Sequence, residues 1–312
     1  MITQSPKPQA RPVAASARRA ARRRVLVGLA FVSPWLLGFL IFTLYPVIAS
    51  FHYSLTDFPV LQPPRYVGLE NYRALLFDDE YFWRYAVYNT VYMFIELPLG
   101  IGMGLALATL LNQKLKGMPA FRAMLYLPSV VPAVASAMLW LWIFNPQYGL
   151  ANSALSAAGL PKLGWLVEPR WAKPALILMD VWTVGGGMVI TLAALQGVPK
   201  GLYEAATLDG ASAFGRFRNV TLPMISPVLF FQLIMGVIGT FQYFTQSMIM
   251  TKGGPMGATT FYALYLFQNA FQYFRMGYAC AMAWILFAIT LSLSLVVMWS
   301  SKRWVHYEGG DR

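Results

Sequence analysis

The sequence predicts an all-α polytopic membrane protein with six transmembrane helices and both termini on the inner side. Its 312 residues are 58% hydrophobic and only 12% charged, with a mean hydropathy of +0.53. Soluble domains average about 45–50% apolar and about 25% charged. Six stretches carry the roughly 20 predominantly apolar residues that a helix needs to cross the hydrocarbon core. Lys and Arg fall unevenly on the segments between them, and that asymmetry orients the chain.

The apolar runs cover residues 25–50, 87–111, 123–144, 175–196, 224–250 and 278–300. All are long and none alternates polar with apolar residues, so helices fit where the short strands of a closed barrel do not. Arg18, Arg19, Arg22, Arg23 and Arg24 crowd just before the first run, a topology signal drawn to an anionic inner surface. With the N-terminus inside, 16 of the 24 Lys and Arg residues fall on inner segments and 8 on outer ones. The first run is long and lacks a small-residue cleavage site, so it reads as a retained helix rather than a removed signal. Residues 1–24 read as a basic cytoplasmic tail without regular structure. Residues 25–303 form the membrane domain, and 304–312 a second cytoplasmic tail.

The net charge of +12 does not point to nucleic acid, because the basic residues lie beside apolar runs and suit membrane lipid instead. A single cysteine, Cys280, sits within an apolar run and excludes a disulfide framework or a Cys-rich metal site. His52 and His306 are the only histidines and fall on opposite sides of the membrane, which removes a His-pair metal centre. Asn219-Val220-Thr221 matches a glycosylation acceptor, but on an inner loop. Neither a catalytic nor a metal site is expected.

One inner loop is too long to be a simple connector. Between the fourth and fifth runs lie residues 199–223, opening on Pro199 and closing on Leu222-Pro223. Pro199 precedes a helix-compatible stretch, and Glu204 in its first turn suits the positive end of a helix dipole. Ala206, Gly210 and Ala213 fall at i, i+4 and i+7, a stripe nearly without side chains that lets another protein approach closely. A short cytoplasmic helix built to dock into a partner's groove is expected.

This loop resembles the EAA loop of ABC importer permeases. Glu204, Ala205 and Ala206 are followed by Gly210 and then by Leu222-Pro223, with the Asp209-Gly210-Ala211 common in carbohydrate permeases. Pro34-Trp35, Tyr45-Pro46, Phe144-Asn145-Pro146 and Gly253-Gly254-Pro255 extend the similarity, nearly chain-wide, to the first permease of maltose-type and glycerol-phosphate-type importers. The resemblance implies a MetI-like permease fold in a bacterial-type cell membrane. It further implies an ABC ATPase dimer on the cytoplasmic side, a homologous second permease and an extracytoplasmic solute-binding protein. Glu204, Ala205, Ala206, Asp209, Gly210, Ala213, Leu222 and Pro223 are then the ATPase-coupling residues. No Gly-x-x-x-x-Gly-Lys-Ser/Thr sequence occurs, so ATP and Mg belong to the partner and no cofactor is expected on this chain.

Polar groups inside a membrane helix are costly and point to function. The fifth run holds Gln232, Thr240, Gln242, Tyr243, Thr245 and Gln246, amides and hydroxyls beside rings that suit an uncharged, polyhydroxylated solute. By resemblance to the maltose-type permease, Gly239, Thr240 and Tyr243 are substrate positions. Gln242 and Gln246, with Trp182 and Thr183 in the fourth run, complete the expected pathway. Asp180 is expected near the outer end of its span, within reach of water and structural. Glu96, deeper in the second run, also reads as structural. Gly100, Gly102 and Gly104 offer a smooth packing face, as do Gly185, Gly186 and Gly187.

Three other classes compete. A secondary transporter favours inverted repeats and a midplane ion site, neither of which is visible. An intramembrane enzyme needs a nucleophile–base or metal constellation. A structural scaffold leaves the polar fifth run without a purpose.

Overall fold

The computed structural model describes residues 13–113 and 115–306. Lys7, Arg11, Lys114 and Arg312, counted above for topology, lie outside the described residues, as do residues 1–12 and 307–312 of the two tails. Contacts divide the chain into two units, 1–53 and 54–312.

In the first unit the helix starts at Val13, about a dozen residues before the apolar run begins. Residues 13–24 are therefore helical rather than an irregular tail. Ala14, Ala15, Ala17, Ala20 and Ala21 alternate with arginines there, and both residue types are strong helix formers. The α-helix runs to Phe39, widens into a π-turn at Leu40–Leu44, and resumes from Tyr45.

Four helices are long and apolar enough to cross a membrane: Arg22–Ser54, Phe82–Leu111, Ala213–Met250 and Met276–Ser301. Two bent pairs meet the same criterion, which makes six spans if each pair counts as one. The third predicted run is not one straight helix. Met118–Val130 and Ala133–Ile143 meet at 97°, because Val131 is extended ahead of Pro132, as residues before proline usually are. The fourth run breaks at Thr183-Val184, where Pro169–Trp182 and Gly185–Gly197 meet at 44°. The fifth loses helical form at Gln242-Tyr243-Phe244.

The second unit departs from an all-α description in one detail. Thr56–Asp57 and Arg65–Tyr66 form a two-residue antiparallel pair. The remainder packs as three apolar clusters. One joins Leu176, Met179, Phe144, Met93 and Tyr243. A second gathers Phe82, Tyr262, Tyr278 and Met282, and a third gathers Ala108, Met188, Leu192 and Ile225.

The glycines of the fourth run are packing devices. A Cβ at Gly185 would collide with the Leu125 carbonyl and the Tyr126 backbone, so only glycine lets these backbones come so close. Of the second-run glycines, Gly104 alone meets a neighbouring helix, with Met188 N 3.4 Å from where its Cβ would sit. Gly100 and Gly102 would meet nothing within 4 Å, so the smooth face is one residue deep rather than three.

Asn89 and Lys173 clamp one end of the second unit. Lys173 Nζ donates to Asn89 Oδ1 at 2.9 Å and sits over the rings of Tyr88 and Tyr92 at 4.9 and 4.7 Å. Asn89 Nδ2 donates in turn to the carbonyls of Gly257 and Thr260. Asp79 Oδ2 accepts from the hydroxyls of Tyr265 and Tyr278.

Candidate functional site

Two regions hold the residues singled out in the sequence: the turn at 199–223 and a cavity among the membrane helices. In the turn, Pro199 caps the helix Lys200–Leu208. Its first turn contains no acidic residue, because helix formation starts at Lys200 and Glu204 falls in the second turn. The helix then closes through two backbone bonds, Ala211 N to Ala206 O at 2.9 Å and Gly210 N to Thr207 O at 3.1 Å. These are the paired bonds of a Schellman motif, and Gly210 occupies its left-handed position at φ +77°.

Ser212 opens the next element by accepting from Gly215 N at 3.1 Å. Helix Ala213–Arg216 passes through a π-turn at Phe217–Thr221 into the membrane helix Leu222–Phe241. Pro223 lies in that helix's first turn, where no amide hydrogen is required. The stripe expected from Ala206, Gly210 and Ala213 therefore does not exist on one helix face. The left-handed Gly210 ends the first helix, and Ala213 begins another. What the turn presents instead is apolar: Leu208 is 90% exposed and Phe214 71%. Glu204, Ala205, Asp209, Gly210 and Ala213 are exposed beside them. Tyr203 and Thr221 hydroxyls pair at 2.9 Å, and Arg216 Nη1 donates to Thr207 Oγ1 at 3.2 Å. These bonds tie the short helix to the foot of the long one.

The cavity has a volume of about 350 Å³ and is lined by Glu96, Asp180, Thr183, Gly187, Gln232 and Gly236 among others. Three of the polar lining residues sit near a helix break. Glu96 follows the kink at Phe94-Ile95, and Asp180 and Thr183 flank the break at Thr183-Val184. Gln232 Nε2 donates at 3.0 Å to both Gly187 O and Thr191 Oγ1, locking the fourth run to the fifth. Asp180 is not at the outer, watered end of its span. Its helix starts at Pro169, earlier than the apolar run suggests, which places Asp180 in the last turn of that helix, beside the break and away from either end of the bent pair. There its Oδ2 is buried without a hydrogen bond. The Tyr243 hydroxyl, also buried, faces Asp180 without closing a bond of normal distance and angle.

The other expected pathway residues are divided. Thr240 is 7% exposed and spends its hydroxyl on Gly236 O at 2.9 Å, and Thr183 spends its own on Asp180 O at 2.8 Å. Gly239 and Gln242 are exposed and Gln246 half-buried. Trp182 packs edge-on against Trp140 with centroids 5.8 Å apart. Tyr243 alone of this set carries an unpartnered buried polar atom. Sequence reasoning missed its proximity to Asp180 and Glu96. Polar residues on three apolar runs were the available signal, but their depths could not be matched without the helix starts.

Residues 97–305 match the family described as binding-protein-dependent transport system inner membrane component. The chain belongs to this family. Within it, a probable ABC transporter permease of Bacillus subtilis, YesP, is 40% identical over 94% of this chain and 96% of its own length. The trehalose/maltose permease MalF of Thermococcus litoralis is 37% identical over 88% of this chain and 94% of its own. A solved bacterial ABC transporter for alginate, bound to its periplasmic protein with an alginate pentasaccharide, superposes with a TM-score of 0.80. It is 25% identical and covers 90% of this chain and 96% of its own. The chain is thus a multi-pass permease subunit of the sugar-importing ABC type, a transport component and not an enzyme.

Proposed function

We propose that this subunit forms half of the translocation pathway for a sugar or sugar-like solute and is driven through the turn at 199–223 by a separate ATPase dimer. A homologous second permease supplies the other half, and an extracytoplasmic binding protein delivers the solute. The chain crosses a bacterial inner membrane six times, each bent pair counting as one span, with both termini inside. ATP and Mg bind the partner ATPase and no cofactor binds here.

The observation that carries this reading is the mechanical continuity between turn and cavity. Leu208 and Phe214 offer two exposed apolar side chains on a turn held rigid by Gly210 and Ser212. That turn is bonded to the foot of Leu222–Phe241. A 20-residue helix transmits displacement over about 30 Å, and this one ends at the break that carries Tyr243. A partner that moves the turn therefore moves Gly239, Thr240, Gln242 and Tyr243 relative to the fourth run, the kind of change alternating access requires.

The test is ATP-driven sugar uptake by the reconstituted importer. Gly210→Glu places a charged side chain at φ +77° in the docking turn. Uptake should fall at least roughly tenfold, about 1.4 kcal/mol in coupling, while membrane insertion stays intact. Unchanged uptake would remove the turn from the coupling path.

A further inference from the structure

Three helix breaks each carry one ionisable side chain. Glu96 follows the kink at Phe94-Ile95, Asp180 precedes the break at Thr183-Val184, and Tyr243 sits in the break at 242–244. Glu96 and Asp180 line one cavity, and no Lys, Arg or His lines it with them. The cations on Asp180's own helix lie elsewhere: Arg170 sits over the Trp171 ring, and Lys173 is engaged by Asn89 and two tyrosine rings. Of the neighbouring elements, Glu96–Leu111 carries Glu96 alone and Tyr88–Met93 carries Tyr88 and Tyr92. Ala133–Ile143, Gly185–Gly197 and Leu222–Phe241 carry no titratable group. The lining side chains have no hydrogen left to offer either. Thr183 gives its hydroxyl hydrogen to Asp180 O, and Gln232 gives its amide hydrogens to Gly187 and Thr191. Asp180 Oδ2 is buried without a partner, and so is the hydroxyl of Tyr243, a residue only 9% exposed.

Two carboxylates in such a cavity, with neither a cation nor a donor, would repel each other and lack solvation. We propose that Glu96 and Asp180 hold one proton between them, and that this proton ties the kink of the second run to the break of the fourth. A carboxyl donating to a carboxylate makes a short, charge-assisted hydrogen bond. That bond uses one Asp180 oxygen and leaves Oδ2 on the side of Tyr243. Once the proton leaves to water, two negative charges face each other, and the cavity must widen and hydrate to keep them apart. Acid therefore favours the closed cavity and base the open one. Alternating access needs both forms, so a permease stripped of this proton stays open and stops cycling. Only that last step rests on the pathway proposed above; the shared proton stands on the cavity itself.

The experiment uses the whole importer, ATPase and both permeases, in lipid nanodiscs. Infrared difference spectra between about pH 5 and about pH 9 read the C=O stretch of a protonated carboxyl, which moves in heavy water. Native protein should show a band that base removes and that Glu96→Gln and Asp180→Asn each abolish. Absence of the band from native protein, or its survival in either variant, would overturn the proposal. The second readout is ATP-driven uptake in proteoliposomes over the same range, each protein scaled to its own value at the acid end. Native uptake should fall toward the one-proton limit of about tenfold per pH unit once the pair titrates. Glu96→Gln still donates to Asp180 but has no proton to lose, so its uptake should hold within about twofold. A Glu96→Gln profile that tracks the native one would sink the latch. Should Glu96→Gln not assemble, Asp180→Asn supplies both readouts, its amide donating to Glu96 in the same way. The proposed function is judged apart: a titrating band without ATP-driven uptake contradicts the importer reading alone, whereas uptake without the band contradicts the shared proton alone.

Discussion

At the turn of residues 199–223 the capping groups are spent, whereas at the cavity polar groups are held back. Around Gly210, backbone donors and the Ser212 hydroxyl close two short helices, and Tyr203 pairs with Thr221. Two large apolar side chains, Leu208 and Phe214, stay on the surface beside Glu204 and Asp209. Around Asp180 what remains unbonded is polar, the carboxylate oxygen and the Tyr243 phenol. A surface that must grip another protein gains from exposed apolar anchors on a rigid frame. A pathway that must hold and release a hydrated solute gains from polar groups whose bonds are completed only by the passing molecule.

That contrast can be broken in order of expected effect. Gly185→Val should be the most damaging change, since its side chain collides with the backbone at Leu125 and Tyr126. A loss of about 3 kcal/mol or more is expected from overpacking at this contact, read as a lowered unfolding temperature of the purified protein and poor assembly. A fully stable variant would show that the two helices can separate cheaply. Tyr243→Ala comes next: uptake should drop about tenfold, or roughly 1.4 kcal/mol, with assembly retained, because the pathway loses its one uncommitted hydroxyl. Normal uptake kinetics would strike Tyr243 from the site. Thr240→Val should be the mildest, because the Thr240 hydroxyl already bonds its own helix at Gly236 O. Uptake within about twofold of native is expected, or roughly 0.4 kcal/mol, and a large loss would mean that this hydroxyl turns to the solute in another state.

The start of the turn was legible in the sequence because its chemistry is local: Pro199 acts on neighbours a few residues away. The Ser212 cap and the helix stop at Gly210 are just as local but were not read. The stripe drawn through Ala206, Gly210 and Ala213 failed, since a left-handed glycine ends a helix as readily as it smooths one. The membrane runs were legible as runs but not as shapes. Pro132 and the Thr183-Val184 break bend two of them, and an apolar average carries no record of a bend. The cavity was least legible, because Glu96, Asp180 and Tyr243 come together only when three helix starts are known. Asp180 was misplaced for that reason alone: Arg170, Lys173 and the prolines at 169 and 174 hid the first turns of its helix.

Leu208 offers the most direct measurement of how the subunit is driven. A photoreactive phenylalanine derivative placed at Leu208, 90% exposed on the turn, should crosslink in living cells to a soluble subunit carrying a Gly-x-x-x-x-Gly-Lys-Ser/Thr sequence, and the yield should change when ATP is depleted. A crosslink to an extracytoplasmic protein, or none to any nucleotide-binding subunit in cells that import the sugar, would contradict it.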